Sequence, residues 1–193
     1  MAQKIDTFPS FLGQDSTTVA QKLLGCYLVR ELDGQEVRVV ITETESYDQS
    51  DAASHSYKGR TPRVDVMFGG SGHLYVYFTY GMHYCCNIVT GEENEGAAVL
   101  IRSVMPVDGI EVIESRRGKT GPVATNGPAK ICQALGIDMK LNGHDLRRSP
   151  LQLLTGPTIE PDDIVVTKRI GISKERDALR RFYLRDSSYV SVK

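Results

Sequence analysis

Several runs along the chain are rich in β-branched and aromatic residues, one of them continuing into alternating positions through Tyr47, and these predict strands; a helical pattern replaces them in three places. The first is "DSTTVAQKLLG", where capping side chains precede an apolar stripe at Val19, Ala20, Leu23 and Leu24, and Gly25 ends the run. "VDGIEVIESRR" and "NGPAKICQALGI" also read as helices, the second with Asn126 as its cap, Pro128 in its first turn and Gly136 as its stop. Asp33-Gly34 in "LDGQ", between β-rich runs, predicts a hairpin. A second hairpin pairs "HLYVYFTY" with "HYCCNIV" and turns at Tyr80-Gly81-Met82. "AAVLIRSV" is apolar on both sides, as a central strand is, and "IVVTKRIGI" and "RRFYLRD" are late strands. Adjacent hairpins argue for a largely antiparallel sheet in a mixed chain of α+β class. Asp48 to Gly72 carries no period of its own. With no repeat or linker, residues 1–193 read as a single domain large enough to bury a core without staples.

One strand ends unusually. Through "VRVVITETESYD" strict alternation would put Val37, Val39, Ile41, Glu43, Glu45 and Tyr47 on one face. An apolar face would thus terminate in two carboxylates roughly 7 Å apart and a phenol. If that face lines a cleft, either glutamate could act as a general base; the plainer expectation is two acids exposed at a strand end. His55 lies in the following loop, "DAASHSYKGRTPR", and by itself is as readily a hydrogen-bonded structural histidine as a catalyst. On the second hairpin Tyr75 and Tyr77 share a face, and Tyr80 sits where the chain reverses, so its ring should project. Three such tyrosines suit core packing, a partner interface or nucleic-acid contact.

Charge narrows this only through its distribution. Lys and Arg total 23 against 24 Asp and Glu, so bulk charge does not advertise a nucleic-acid binder. Acids cluster early, from Glu31 to Asp51, while the tail from Lys168 to Arg185 is basic. That tail reads as a solvated face or as a phosphate-contacting patch, the latter joined by Lys58, Arg60 and Arg63. Cys26, Cys85, Cys86 and Cys132 lack metal-knuckle spacing and read as reduced, buried thiols. "MAQKIDTFPSFLG" has no leader-like apolar core and no run approaches a membrane span, so a cytoplasmic protein is expected, associated with the nucleoid in a bacterium.

A carboxylate beside aromatic rings, an exposed aromatic wedge and basic segments suit an enzyme that swings a base out of a duplex. Two other readings stay open. One is a module that captures flipped or single-stranded bases without cutting. The other is a metal-dependent hydrolase built on Glu43, Glu45, His55 and His83, whose spacing is irregular.

The runs "ETESY", "ASHSYKGRTPR", "MF", "GHLYVYFTYGMHYCCN", "AVLIR", "GPAKICQALGI" and "RFYLR…SYVSV" resemble, in that order, the alkyladenine (methylpurine) DNA glycosylase family, from about Leu23 to Val192. The resemblance implies a single α+β domain with a curved antiparallel sheet, flanking helices and a β-hairpin that enters the minor groove of damaged double-stranded DNA. It implies a monomer with no metal and no cofactor, and direct hydrolysis without a covalent intermediate. By position, Glu45 would be the water-activating base and Glu43 its neighbour. Arg102 and the Ile170 carbonyl would hold the water, and Tyr47, His55 and Tyr77 would form the walls around the flipped base. Tyr80 would intercalate, and Asn87 would exclude normal guanine. The chain departs from the common pattern at Val64, where many members carry Asn, at Ala52, near which a proline is often found, and at Met105, which replaces an acid.

Overall fold

The computed structural model describes residues 7–192; the first six residues of the stretch read for a leader lie outside them. The predicted strands form one curled, wholly antiparallel sheet. In chain order they are β1 (Tyr27–Leu32), β2 (Gln35–Tyr47), β3 (Leu74–Thr79), β4 (His83–Val89), β5 (Ala98–Asp108), β6 (Leu151–Leu154), β7 (Ile164–Thr167) and β8 (Arg181–Leu184). The spatial order is β3-β4-β5-β2-β1-β6, with β8 between β2 and β7. β2 is the axis of the fold. One of its edges pairs with β5 from Arg38 to Tyr47, and the other pairs with β1 up to Val40 and then with β8 from Glu43 to Glu45. The short β6 went unpredicted: "LQLL" has too few residues to show a period.

Three helices cover one face: α1 (Ser16–Lys22), α2 (Ile110–Arg117) and α3 (Pro128–Ala134). Asp15 caps α1, accepting the N–H groups of Thr17 at 3.1 Å and Thr18 at 3.0 Å. At α3 the capping position is Gly127; Asn126, predicted to cap, instead accepts a bond from Lys130 Nζ at 2.7 Å. The main core joins Val19 and Ala20 of α1, Ile131 and Cys132 of α3, and the inner residues of β1–β6 and β8. A smaller cluster around Tyr75 includes Met67, Phe68 and Val64, so the first departure from the family pattern fills a buried apolar site. All four cysteines are buried free thiols.

β2 corrects the sequence reading. Val37, Val39 and Ile41 do face the core, but Thr42 has no partner on β5, and one step later Arg102 has none on β2. These two bulges shift the alternation by one residue. Beyond them Thr44 takes the core side, opposite Ile101 and Phe182, and its hydroxyl donates to the Ala20 carbonyl at 2.8 Å. Glu43 and Glu45 therefore point to the face opposite Ile41, and the apolar face never ends in carboxylates. Bulges serve to re-aim side chains beside active sites, and here one re-aims two acids and the other an arginine.

Candidate active site

Two of the re-aimed residues, Glu45 and Arg102, line a cleft of about 510 Å³ whose walls also include Tyr47, His55, Tyr75, Tyr77, Asn87, Ile170 and Tyr80. That volume suits a small organic ligand. Both glutamates are fully buried, which overturns the expectation of an exposed strand end.

Burial of two charges is tolerated only with dense pairing. Glu43 has it: Oε1 accepts Arg181 Nη1 at 3.0 Å and Ser191 Oγ at 2.8 Å, and Oε2 accepts the Ser191 N–H at 2.6 Å. Arg102 Nε lies 3.3 Å from the same Oε1. Glu43 is thereby densely paired, and it ties the C-terminal segment to the sheet. Glu45 has fewer partners. Its Oε2 accepts the Tyr47 hydroxyl at 2.8 Å and faces Arg102 Nη1 at 3.3 Å, and its Oε1 accepts the Ile170 N–H at 2.9 Å. A carboxylate offers about four acceptor positions, so one on Oε1 is left without a partner among the described residues, and Glu45 is in the lining of the cleft. Ile170 meets Glu45 through its N–H, a contact separate from the water-holding role expected of its carbonyl.

Burial, and then the charge of Glu45, raises the Tyr47 phenol far above its ordinary range, so it is a fixed donor. Burial alone would lower Arg102, but Glu45 and Glu43 more than offset it and keep it cationic. Tyr77 is raised by burial and by Cys85, its partner across the hairpin, and burial pushes the Cys85 thiol up to about 11. His55 is exposed at the cleft wall; its ring lies edge-on to Tyr77 at 4.6 Å, and its Nδ1 is 3.0 Å from the Tyr75 hydroxyl. Burial and then Arg63 lower its pKa, leaving a neutral imidazole at neutral pH. Asn87 donates Nδ2 to the Tyr75 carbonyl at 3.2 Å, which fixes its side chain in the cleft wall.

At the rim the β3–β4 turn gives Tyr80 φ 51° and Gly81 φ 67°. Gly81 adopts such a value freely, while Tyr80 is strained there and left 82% exposed. Tyr80 and neighbouring Met82 thus project an apolar tip.

The contrast of an acidic front and a basic tail resolves inside the molecule. Glu43 pairs with Arg181, Asp48 with Arg180 and Asp51 with Arg169, so three tail arginines turn inward instead of forming a patch. Lys58, Arg60 and Arg63 are exposed, and Arg60 is engaged by Asp65 at 2.6 Å. Such a solvent-screened surface pair contributes little and yields readily to a phosphate. His83 lies at the hairpin end of β4, away from the other three residues of the metal-site reading, and no cluster of metal-ligand type forms among the described residues. No helix among them is long and apolar enough to cross a membrane.

Comparison with known proteins supplies the family. The family model for methylpurine-DNA glycosylase (MPG) matches residues 10–188. The chain belongs to the methylpurine-DNA glycosylase family. A protein of Carboxydothermus hydrogenoformans named "Putative 3-methyladenine DNA glycosylase" is 51% identical over 185 residues, 95% of this chain and 97% of that one. One of the same name from Methanoculleus marisnigri is 48% identical over 192 residues, 96% of this chain and 98% of its own. A Francisella tularensis homologue is 45% identical over 178 residues. As a family member the chain is a DNA glycosylase, a monofunctional hydrolase of N-glycosyl bonds in DNA repair. The sequence resemblance and the expected α+β fold are both borne out.

Three contributors escaped the sequence reading: Asp51, Arg169 and the ring of Tyr75 as a partner for His55. Tyr75 was visible as a face-mate of Tyr77. The Asp51–Arg169 pair, 118 residues apart in the chain, left no local signal.

Proposed function

We propose that this glycosylase swings an alkylated or deaminated purine out of duplex DNA into the cleft and hydrolyses its N-glycosidic bond with water activated by Glu45, leaving an abasic site. The observation that carries the reading is the acceptor position on Glu45 Oε1 left without a partner among the described residues, in the lining of an aromatic cleft, with the other positions held by Tyr47, Arg102 and Ile170. Breaking the bond builds positive charge on the sugar. A carboxylate on the water side stabilises that charge and accepts the water's proton, the logic of an inverting glycosidase. Tyr47 and the Ile170 N–H hold the carboxylate in place beforehand, so little reorganisation remains.

Alkylated purines such as 3-methyladenine are cationic, and the faces of Tyr47 and Tyr77 attract them by roughly 0.5–2 kcal/mol. Deaminated or etheno purines such as hypoxanthine and ethenoadenine are neutral; for them neutral His55 offers a donor and an acceptor at the purine edge. Asn87, held rigid by Tyr75, disfavours the exocyclic amine of normal guanine. Extrusion adds selectivity, since a damaged or mispaired base costs a few kcal/mol less to unstack. Lys58, Arg60 and Arg63 contact backbone phosphates, and the chain acts as a monomer. No step in this scheme uses a metal or cofactor.

The test is excision from duplexes carrying 3-methyladenine, 7-methylguanine, hypoxanthine or ethenoadenine, each beside an undamaged control and with EDTA present. Abasic sites should accumulate only in damaged duplexes and persist in chelator. Binding without abasic product would mean base capture alone, and silencing by EDTA would restore the metal hydrolase.

Tyr80 is the proposed wedge that fills the vacated stack. Tyr80→Ala should weaken lesion-duplex binding by roughly 1–3 kcal/mol, about 5- to 150-fold. Because the side chain is exposed, thermal stability should hardly change. Unaltered binding and excision in titration and single-turnover assays would remove the hairpin tip from the mechanism.

A further inference from the structure

Resting on the Glu45 reading above, we propose that the buried Asp51–Arg169 pair is a positioning device: it aims the Ile170 N–H at Glu45 and thereby sets which carboxylate position faces the water. The connection 168–180 between β7 and β8 contains no helix or strand, and Arg169 is its only buried residue. The placement of Ile170, the next residue, therefore depends on how the Arg169 side chain is held.

It is held from three sides. Nη1 donates to Asp51 Oδ2 and to the Ser46 carbonyl at 3.0 Å, and Nη2 donates to Asp51 Oδ1 at 3.1 Å. The guanidinium also covers the Tyr47 ring, 4.6 Å from its centroid. Ser46 lies between Glu45 and Tyr47, so one side chain grips the backbone next to the proposed base and the ring that donates to it. Asp51 extends the grip to the opposite wall, since Oδ1 accepts the Ala53 N–H at 2.9 Å in the turn that leads to His55. Just past Ile170, Gly171 at φ +74° turns the chain away. Two buried charges are an expensive way to gain stability, whereas the fork-to-fork geometry of arginine and carboxylate is well suited to fixing direction.

The pair touches neither the substrate position nor the water, so its loss should move rate and not affinity. The variants are Arg169→Lys, which keeps the charge but not the fork, and the neutral double variant Asp51→Asn/Arg169→Gln, which strands no charge. Single-turnover release from a hypoxanthine duplex should fall on the order of 10- to 100-fold in both, the scale of a misplaced catalytic group. The lesion-duplex Kd should stay within about threefold, and the far downfield Ile170 amide resonance expected of a bond to a carboxylate should move upfield. A folded double variant releasing base within about twofold of wild type with that resonance unmoved, or rate and affinity falling in parallel, would overturn the proposal. Glu45→Gln run alongside separates the two readings. If it retains turnover, the Glu45 reading fails; if it is dead while Arg169→Lys runs at full rate, only the positioning proposal fails.

Discussion

Glu45→Gln should still hold a lesion-containing duplex yet release its base at least about 10³-fold more slowly, within the range attributed to a positioned general base. Glutamine keeps the shape of the side chain but loses the proton-accepting charge. It also brings an NH₂ group into a ring of donors: Tyr47 and Arg102 face Oε2, and the Ile170 N–H faces Oε1. Whichever way the amide turns, one donor meets another, so a loss of about 1–3 kcal/mol in stability should accompany the loss of rate. Single-turnover assays at saturating enzyme, with Kd measured by fluorescence anisotropy, separate the two effects. Substantial turnover in a folded Glu45→Gln protein would remove Glu45 as the base.

Glu43→Ala should act on the other quantity. Its carboxylate accepts bonds from Arg181 and twice from Ser191, with Arg102 at 3.3 Å. Deleting it leaves Arg181, 4% exposed, and Arg102, 8% exposed, facing each other without the intervening charge. Removing one partner of a buried ion pair costs about 3–5 kcal/mol. For a chain of this size that corresponds to a fall of roughly 6–20 °C in Tm. The C-terminal segment should loosen as well, because Ser191 loses its anchor, and proteolysis there should accelerate. A thermal midpoint within about 2 °C of wild type would show that Arg102 and Arg181 find other partners and that Glu43 is not the keystone of this face. Two glutamates two residues apart thus differ in their surroundings: Glu43 is tied to Arg181 and Ser191, whereas Glu45 is in the lining of the cleft.

The difference explains what each residue can be asked to do. Arg102 bridges both carboxylates, so substitutions there would mix the two effects. Tyr47 and Tyr77 are kept protonated by burial, so in the proposed scheme they act as donors and walls and not as bases. The near-neutral net charge and the inward-turned tail arginines leave a modest outer electrostatic footprint. Lesion-duplex affinity should accordingly lean on the hairpin tip and the cleft more than on phosphate contacts alone.

By itself the sequence determined the elements that depend on neighbours in the chain: the helix after Asp15, the turn at Asp33-Gly34, the paired strands on either side of Tyr80, and the shared face of Tyr75 and Tyr77. Each follows from a period or a turn preference acting over a few residues, and ordered motifs were enough to point to the family. Only the tertiary structure decided which face the glutamates occupy. Thr42 and Arg102 are unpaired residues whose effect on alternation is visible only once β2 and β5 lie side by side. Nor could composition show that the acidic front and the basic tail neutralise each other, because Glu43–Arg181, Asp48–Arg180 and Asp51–Arg169 are separated by 138, 132 and 118 residues. Charges pair by distance in space, and that distance exists only after the sheet has curled to bring β8 and the connection before it against β2.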